Sequence, residues 1–290
     1  MKKERYSPLI TARQKTIAKE FVFAGKALQT GRDVEVICRP GGIDTGISFK
    51  RSDLDGSPLI RLSDAVFSSG QMRRTTIGSG PFAVQTVEHF LAALWGMGID
   101  NILVEISGEE LPALGGNALG FLEKMKQAGT VEQQADKKYI KVLETERVEE
   151  NGASLTVFPA DEFSISYFID YDVKSIGRET FEITPDEFSF EKEIAPARTF
   201  CLRREAEELL RSGIGQGANF ENTLVMDDTG PLGTTLRYKN EPVRHKVLDL
   251  IGDLYMMGRP VIGRFIAEKS GHKVNSMMAR KLYEKYMLNI

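Results

Sequence analysis

The hydrophobic and polar positions of the chain follow the same order twice. Residues 31–53 and 152–172 each begin with glycine and continue with an alternating strand, a turn and a second strand through Ile-Ser. Farther along, residues 87–98 and 243–258 each begin Val-x-His, continue with helical apolar spacing and end at Met-Gly. A period of two predicts half-buried strands, and spacings of three and four predict an amphipathic helix. The repeated order indicates an ancient duplication; chance similarity of amphipathic elements is the alternative.

The boundary between the two halves is predicted near residues 133–139, "QQADKKY", which are polar and lack periodicity. We therefore expect a first α+β domain at residues 1–134 and a second at residues 135–290. The pattern predicts an α+β fold in which both halves contain antiparallel hairpins and helices pack against the sheets.

Helical spacing and end signals predict the helices and their boundaries. Five are expected, at residues 86–97, 118–127, 202–212, 243–257 and 275–287. Thr86 and Asn275 are the side chains expected to cap the starts of the first and last helices. Gly98 is expected to end the first helix, and Pro242 and Gly258 to bound the fourth.

The composition restricts the classes of function. With 290 residues, 41% hydrophobic and 27% charged, the chain suits a globular protein with a substantial core. A net charge of −3 argues against general affinity for nucleic acid or anionic membranes. We find no apolar run near the ~20 residues of a spanning helix and no convincing signal peptide. Cys38 and Cys201 lie far apart outside any CxxC pattern, which predicts free thiols in the cytoplasm.

The fourth predicted helix carries a candidate metal-binding pair. His245 and Asp249 are about 40° apart on a helical wheel, and Asp253 follows one turn later. Gly252 is expected to keep this stripe open. An imidazole and a carboxylate at this spacing can ligate one cation, as in helical zinc sites. The alternative interpretation is a surface His–Asp pair.

The first predicted helix supplies a third candidate ligand. If the halves are related by a pseudo-twofold axis, His89 meets His245 and Asp249. Three ligands with one open position are typical of catalytic zinc, although Fe²⁺ could occupy such a site. Glu88 points about 100° away from His89, which suits a general base acting on water. The alternative is an acid that stabilises the helix N-terminus.

The third histidine of the chain, His272, follows Gly271 and is predicted to lie on a loop. A carboxylate such as Asp253 nearby would favour its imidazolium form. It could then stabilise an oxyanion or protonate a leaving amine. A solvated loop histidine is the alternative.

Four segments together resemble a known enzyme family. They are "TVEHFLAALWGMGIDN" (86–101), "ARTF" (197–200), "VRHKVLDLIGDL" (243–254) and "SGH" (270–272). The chain resembles the UDP-3-O-acyl-N-acetylglucosamine deacetylases, zinc amidohydrolases of bacterial lipid A synthesis, from residue 13 to residue 275. The resemblance implies two α+β domains, helices between two sheets, and a small insertion in each domain. It also implies an acylated UDP-amino-sugar substrate; we further expect a monomer.

The resemblance implies a role for each matching residue. Zinc ligands would be His89, His245 and Asp249, with Glu88 as general base. His272 would be the electrostatic and general-acid partner, oriented by Asp253.

The resemblance also implies substrate contacts. The Thr199 hydroxyl would help to hold the oxyanion, and Phe200 would contact the substrate. Lys246 would lie near the phosphate or sugar, and Tyr171 would stack on uracil. Residues 201–228 match an insertion that lines an acyl passage, contributed by apolar side chains such as Leu202 and Ile214.

Several turns depart from the family pattern. Gln29 stands where the family has histidine, and Gly115 replaces an acid. The other departures are Ala218 and Asn219 in the insertion, and Val173 and Lys174 after the uracil aromatic. Three hypotheses therefore remain: the lipid A deacetylase, a paralogue that deacetylates another N-acetylated nucleotide sugar, and a non-catalytic nucleotide-sugar binder. The intact set of chemical residues argues against the binder.

Overall fold

The secondary structure is that of an α+β protein. A computed structural model describes residues 12–62 and 74–288 of the chain. The strands of these residues are Arg13–Ile17 (β1), Phe21–Lys26 (β2), Asp33–Pro40 (β3), Ile47–Arg51 (β4), Ile60–Arg61 (β5), Thr76–Ile77 (β6), Val84–Gln85 (β7), Ile102–Ile106 (β8), Thr130–Asp136 (β9), Ile140–Lys141 (β10), Glu146–Glu150 (β11), Ala153–Phe158 (β12), Phe163–Asp170 (β13), Arg178–Ile183 (β14), Phe200–Leu202 (β15), Leu224–Asp227 (β16), Gly230–Pro231 (β17) and Val261–Glu268 (β18). The helices are Glu88–Met97 (α1), Leu119–Ala128 (α2), Glu187–Ser189 (α3), Arg203–Arg211 (α4), Glu241–Tyr255 (α5) and His272–Tyr286 (α6).

Two mixed sheets have the same topology. The first has the order β2-β3-β8-β4-β5, and the second has β11-β12-β18-β13-β14, with β10 added beside β18. The third strand in each sheet runs antiparallel to one neighbour and parallel to the other. In both halves a helix precedes that strand and another follows it. The shared topology supports the duplication, which we propose together with the two domains. Part of the predicted boundary is ordered as β9, which pairs with β1.

Helix α1 lies between the two sheets. Its Phe90 ring contacts Phe23 and Phe49 of the first sheet, with ring centroids 6.2 and 6.0 Å apart. Its Trp95 ring contacts Phe163 of the second sheet at 5.4 Å. Every residue of α1 except Trp95 is buried, as expected for a helix covered on all sides.

The two histidine-bearing helices cross in close contact. A Cβ atom on Gly252 of α5 would lie 2.0 Å from the carbonyl oxygen of Glu88 in α1. Gly252 therefore admits the backbone of the other helix, whereas the sequence pattern had suggested only an open stripe. This contact brings the start of α1 beside the C-terminal half of α5.

The predicted caps are partly wrong. Gly98 does end α1 in the left-handed conformation, with φ of 64°. Thr86 does not cap α1: its hydroxyl donates instead to the Glu110 carboxylate at 2.9 Å. Asn275 lies inside α6, which begins at His272 after an extended Gly271, so His272 is not a loop residue. In both cases a tertiary carboxylate binds the side chain that the local pattern favours as a cap.

Several elements were not predicted from the sequence. A short three-stranded sheet, β15-β16-β17, accompanies α4 in the second half. Helix α3 continues into a π-helical turn at Phe190–Ile194, and a 3₁₀ turn occupies Gly80–Phe82. Across residues 12–62 and 74–288, no helix is both long enough and apolar enough to span a membrane.

Candidate metal centre and active site

Three buried side chains from α1 and α5 converge on one point. The Nε2 atoms of His89 and His245 lie 3.6 and 3.2 Å from Oδ1 of Asp249. One potential ligand atom from each residue lies within 4.8 Å of the other two. The predicted convergence of the two helix starts is therefore present in the fold.

The cluster has the chemistry of a cation site. Oδ1 of Asp249 is buried and accepts no hydrogen bond from the described part of the chain. An unsatisfied buried carboxylate oxygen is costly, and two imidazole nitrogens beside it provide further lone pairs. Nδ1 of His245 lies 3.0 Å from the Ala197 carbonyl. That carbonyl can only accept, so Nδ1 carries the proton and Nε2 keeps its lone pair for a metal.

The protonation states suit metal binding. Burial lowers the pKa of His89 and favours the neutral imidazole that metals require. Burial alone would raise the pKa of Asp249, but His245, Lys246 and His272 hold it well below its usual range. Nζ of Lys246 donates to Oδ2 of Asp249 at 2.9 Å, leaving Oδ1 for a cation.

Glu88 is a buried carboxyl group beside the cluster. Its Oε2 accepts a hydrogen bond from the backbone N–H of Thr75 at 3.0 Å. Burial raises the pKa of Glu88 to about 7; His272 opposes this rise, and Asp253 and Asp249 add to it. A carboxyl group with this pKa can accept and release a proton near neutral pH, which general catalysis requires.

His272 forms a dyad with Asp253. Nδ1 of His272 lies 2.9 Å from Oδ2 of Asp253. Its Nε2 lies on the metal-cluster side, 3.8 Å from Oδ2 of Asp249. Burial alone would lower the pKa of His272, but the Asp253 and Asp249 carboxylates outweigh it and raise that pKa to about 9. The raised pKa favours the imidazolium form at neutral pH.

An aromatic and cationic wall adjoins the cluster. The Phe200 ring contacts the His245 and Tyr171 rings, with centroids 6.4 and 5.5 Å away. Nζ of Lys246 lies 5.7 Å from the centroid of Phe200. Three of the residues predicted to contact substrate are thus grouped beside one metal-ligand candidate.

The remaining predicted contacts are less directly connected to the cluster. Thr199 belongs to the segment that leads from Ala197 to Phe200, and its N–H donates to the Gly116 carbonyl at 2.7 Å. Leu202 is buried in the hydrophobic core, and Ile214 is half-buried after α4. Their roles in binding the oxyanion and the acyl chain stay predictions.

The turn at Gln29, where the sequence departs from the family pattern, is held by backbone hydrogen bonds. The N–H groups of Gln29 and Thr30 donate to the buried Glu110 carboxylate at 2.9 Å. The Gln29 carbonyl accepts from the N–H of Gln216, in the predicted insertion, at 3.0 Å. These hydrogen bonds use only the backbone of residue 29, so any residue other than proline can form them there.

Sequence reasoning missed several groups that support the site. Arg198 and Glu241 form a buried pair, with Nε 2.9 Å from Oε1, which joins the Ala197 segment to the start of α5. Nδ2 of Asn275 donates to Asp253 at 2.8 Å, and Thr75 contacts Glu88. Arg198 lies within the quoted "ARTF" segment, which offered a signal. Thr75 lies outside any periodic segment, which offered none.

Comparison with known proteins identifies the family. The family model described as UDP-3-O-acyl N-acetylglycosamine deacetylase matches residues 14–284. A UDP-3-O-acyl-N-acetylglucosamine deacetylase of Acidithiobacillus ferrooxidans is 39% identical over 93% of this chain and 90% of its own length. Proteins of the same name from Neisseria meningitidis serogroup C and Thermosynechococcus vestitus are 38% and 36% identical, over 92% and 96% of this chain. They are covered over 89% and 97% of their own lengths. These matches confirm the resemblance inferred from the four sequence segments, and the chain belongs to the UDP-3-O-acyl N-acetylglycosamine deacetylase family.

Proposed function

We propose that the protein hydrolyses the N-acetyl group of UDP-3-O-(3-hydroxyacyl)-N-acetylglucosamine and releases acetate, as a step of lipid A biosynthesis. The observation that carries the proposal is the buried cluster of His89, His245 and Asp249, flanked by Glu88 and His272, in a chain of this family. Because both cysteines carry free thiols, we also propose that the protein works in the reducing cytoplasm.

We propose Zn²⁺ as the cofactor. His89, His245 and Asp249 would hold it. The observation that supports a cation there is that Oδ1 of Asp249 is buried and accepts no hydrogen bond from the described residues. When bound, zinc would polarise the acetamide carbonyl and lower the pKa of water at the site. Two imidazoles and a carboxylate also suit Fe²⁺, so metal analysis of the purified protein must decide between the two.

Glu88 is proposed as the general base. The Thr75 N–H holds Oε2, and the pKa of about 7 leaves a large ionised fraction at neutral pH. The carboxylate would take a proton from the water molecule as its oxygen bonds to the acetamide carbon. Thr199 is proposed to donate its hydroxyl proton in a hydrogen bond to the resulting oxyanion.

His272 is proposed as the general acid. Asp253 accepts from Nδ1, so the proton at Nε2, on the cluster side, can be donated. As the C–N bond breaks, the sugar nitrogen would take this proton and acetate would leave. The raised pKa keeps the imidazolium populated until that step.

The wall formed by Lys246, Phe200 and Tyr171 is proposed to bind the sugar nucleotide. The half-buried ammonium group of Lys246 can pair with a phosphate, and an aromatic ring can stack on uracil. Leu202 and Ile214 would contact the acyl chain.

An acetate-release assay tests the proposal. Zinc-loaded protein should release acetate from the 3-O-acylated UDP-N-acetylglucosamine far faster than from the unacylated compound. Equal rates on both would favour a paralogue that acts on another nucleotide sugar, which the departures at Gly115 and Val173 leave open. Failure to release acetate from either compound, with metal bound, would refute the deacetylase proposal.

A further inference from the structure

Thr75 contacts both of the groups proposed to move protons. Its backbone N–H donates to Oε2 of Glu88 at 3.0 Å. Its hydroxyl donates to Oδ1 of Asp253 and lies 3.3 Å from Nδ1 of His272. Thr75 is only 3% exposed, so solvent does not compete for these bonds. One buried residue therefore connects the start of α1 with the dyad of α5 and α6.

The direction of the hydroxyl bond follows from the surroundings of Asp253. This carboxyl group is fully buried and also receives hydrogen bonds from Asn275 and His272. The Thr75 hydroxyl donates to Oδ1, and the carboxylate oxygen accepts. Asn275 donates to Oδ2 and Thr75 to Oδ1, and the two donors together fix the plane of the carboxylate.

The backbone of Thr75 is held without its hydroxyl. Its carbonyl accepts from the N–H of Val87, directly before α1, at 3.3 Å. Its N–H donates to Glu88 in the same turn. A substitution that removes only the hydroxyl therefore leaves both backbone bonds in place and tests what the hydroxyl contributes to the Asp253–His272 dyad.

We propose that Thr75 is a positioning residue of the active site. Its backbone orients Glu88, and its hydroxyl orients the Asp253 carboxylate and, through it, the His272 ring. This inference rests on the proposed function, because it concerns how the base and the acid are held relative to each other. Its effect should appear in the chemical step and not in substrate or metal binding.

The main test compares Thr75→Val with Thr75→Ser. Valine has the shape of threonine but no hydroxyl, so kcat should fall about 10- to 100-fold, as for loss of other groups that orient catalytic side chains. KM and metal content should stay unchanged, and serine should restore most of kcat. An unchanged kcat in Thr75→Val would overturn the proposal. If the valine variant does not fold, Thr75→Ala makes the same comparison.

Thr16→Val is the matched control. Thr16 is also buried, at 4% exposure, and its hydroxyl accepts a hydrogen bond from the Gly41 N–H at 3.0 Å. Losing that bond should lower thermal stability without changing kcat. If Thr16→Val lowered kcat as much as Thr75→Val, the effect would be general destabilisation and the proposal would be wrong.

A double-mutant cycle with Asp253→Ala tests the route of the effect. Asp253→Ala removes the carboxylate through which the hydroxyl is proposed to act on His272, so adding Thr75→Val should change kcat by less than about twofold. A merely structural role would lower kcat by the same factor in both backgrounds. Equal factors would therefore overturn the proposed route through Asp253.

NMR of the zinc-loaded protein gives a readout that does not need turnover. The chain has three histidines, so the imidazole signals are few enough to assign. The Nδ1 proton resonance of His272 should shift in Thr75→Val, return in Thr75→Ser and stay in place in Thr16→Val. An unmoved resonance contradicts the inference. A wild-type protein that releases no acetate would instead refute the proposed function, and the NMR comparison would still decide the role of Thr75.

Discussion

Helices α1 and α5 occupy matching places in the two halves, yet they contribute differently to the site. Helix α1 supplies Glu88 and His89 from its first turn and is otherwise apolar. Helix α5 supplies His245, Asp249 and Asp253 from successive turns. The comparison teaches that a repeated frame can build an asymmetric centre. The repeated helix arrangement brings His89 and His245 together. The acidic residues stand at different positions along the two helices, so the two helices contribute different groups to the site.

The second helix of each half differs in the same way. Helix α6 begins with His272, whereas α2 begins with Leu119 in the corresponding place. The second half therefore contributes the whole dyad that is proposed as the acid, and the first half contributes the proposed base. These two proposed groups meet where the two halves pack together.

Removal of a metal ligand from either helix should have the largest effect. His89→Ala and Asp249→Ala should both lose the metal. Loss of a group that only orients a metal ligand typically lowers activity by about 10- to 100-fold, so the loss of a ligand itself should lower the rate of acetate release by more than this. Metal content and kcat measured together test this. Retention of full metal content in one of the two variants would mean that the helices do not share the ion.

Glu88→Gln should separate the two functions of the α1 first turn. The amide cannot accept the proton, so kcat should fall about 10²- to 10⁴-fold while metal content stays at the wild-type level. His89→Gln is the adjacent comparison and should lose metal as well. Loss of metal in Glu88→Gln would contradict its role as a base.

The buried pair at the start of α5 should matter for stability. Glu241→Gln leaves the buried Arg198 guanidinium without its carboxylate, so the free energy of unfolding should fall by about 3–5 kcal/mol. Urea unfolding measures the change. Asp33→Asn breaks an exposed pair with Lys26 and should cost at most about 1 kcal/mol. If the two substitutions lowered the free energy of unfolding by similar amounts, burial would not be the reason why the Arg198–Glu241 pair stabilises the protein.

The pH profile should report one group from each half. Glu88 must be ionised, so kcat/KM should fall by about tenfold per unit below its pKa of about 7. His272 must be protonated, so kcat/KM should also fall above its pKa of about 9. His272→Gln should lower activity and abolish the alkaline limb alone. A profile that stays flat from mildly acidic to mildly alkaline pH would contradict the pairing.

The sequence predicted the helices and the convergence of His89, His245 and Asp249 well, because both depend largely on local spacing. Helical periodicity identified α1, α2, α4, α5 and α6 to within a few residues. His245 and Asp249 are one helical turn apart, so their proximity follows from the helix alone. The scarcity of histidine, at three residues, then made His89 the natural third member.

The sequence could not predict features that depend on tertiary partners. Asn275 has the properties of a cap, but the buried Asp253 carboxylate provides a stronger partner for its amide. Thr86 is bound by Glu110 for the same reason. Thr75 lies next to Glu88 because the β6–β7 pairing places Thr76 opposite Gln85, and it meets Asp253 only because α5 packs against this region. No local pattern encodes such contacts.

The absence of a side chain at Gly252 limits which substitutions the contact between α1 and α5 can accept. The backbones of α1 and α5 are in contact there because residue 252 has no side chain to keep the two helices apart. Any larger residue would separate the helices and widen the gap between His89 and the ligands of α5. The absence of a Cβ atom at Gly252 therefore sets how closely His89 can approach His245 and Asp249, the other two proposed ligands.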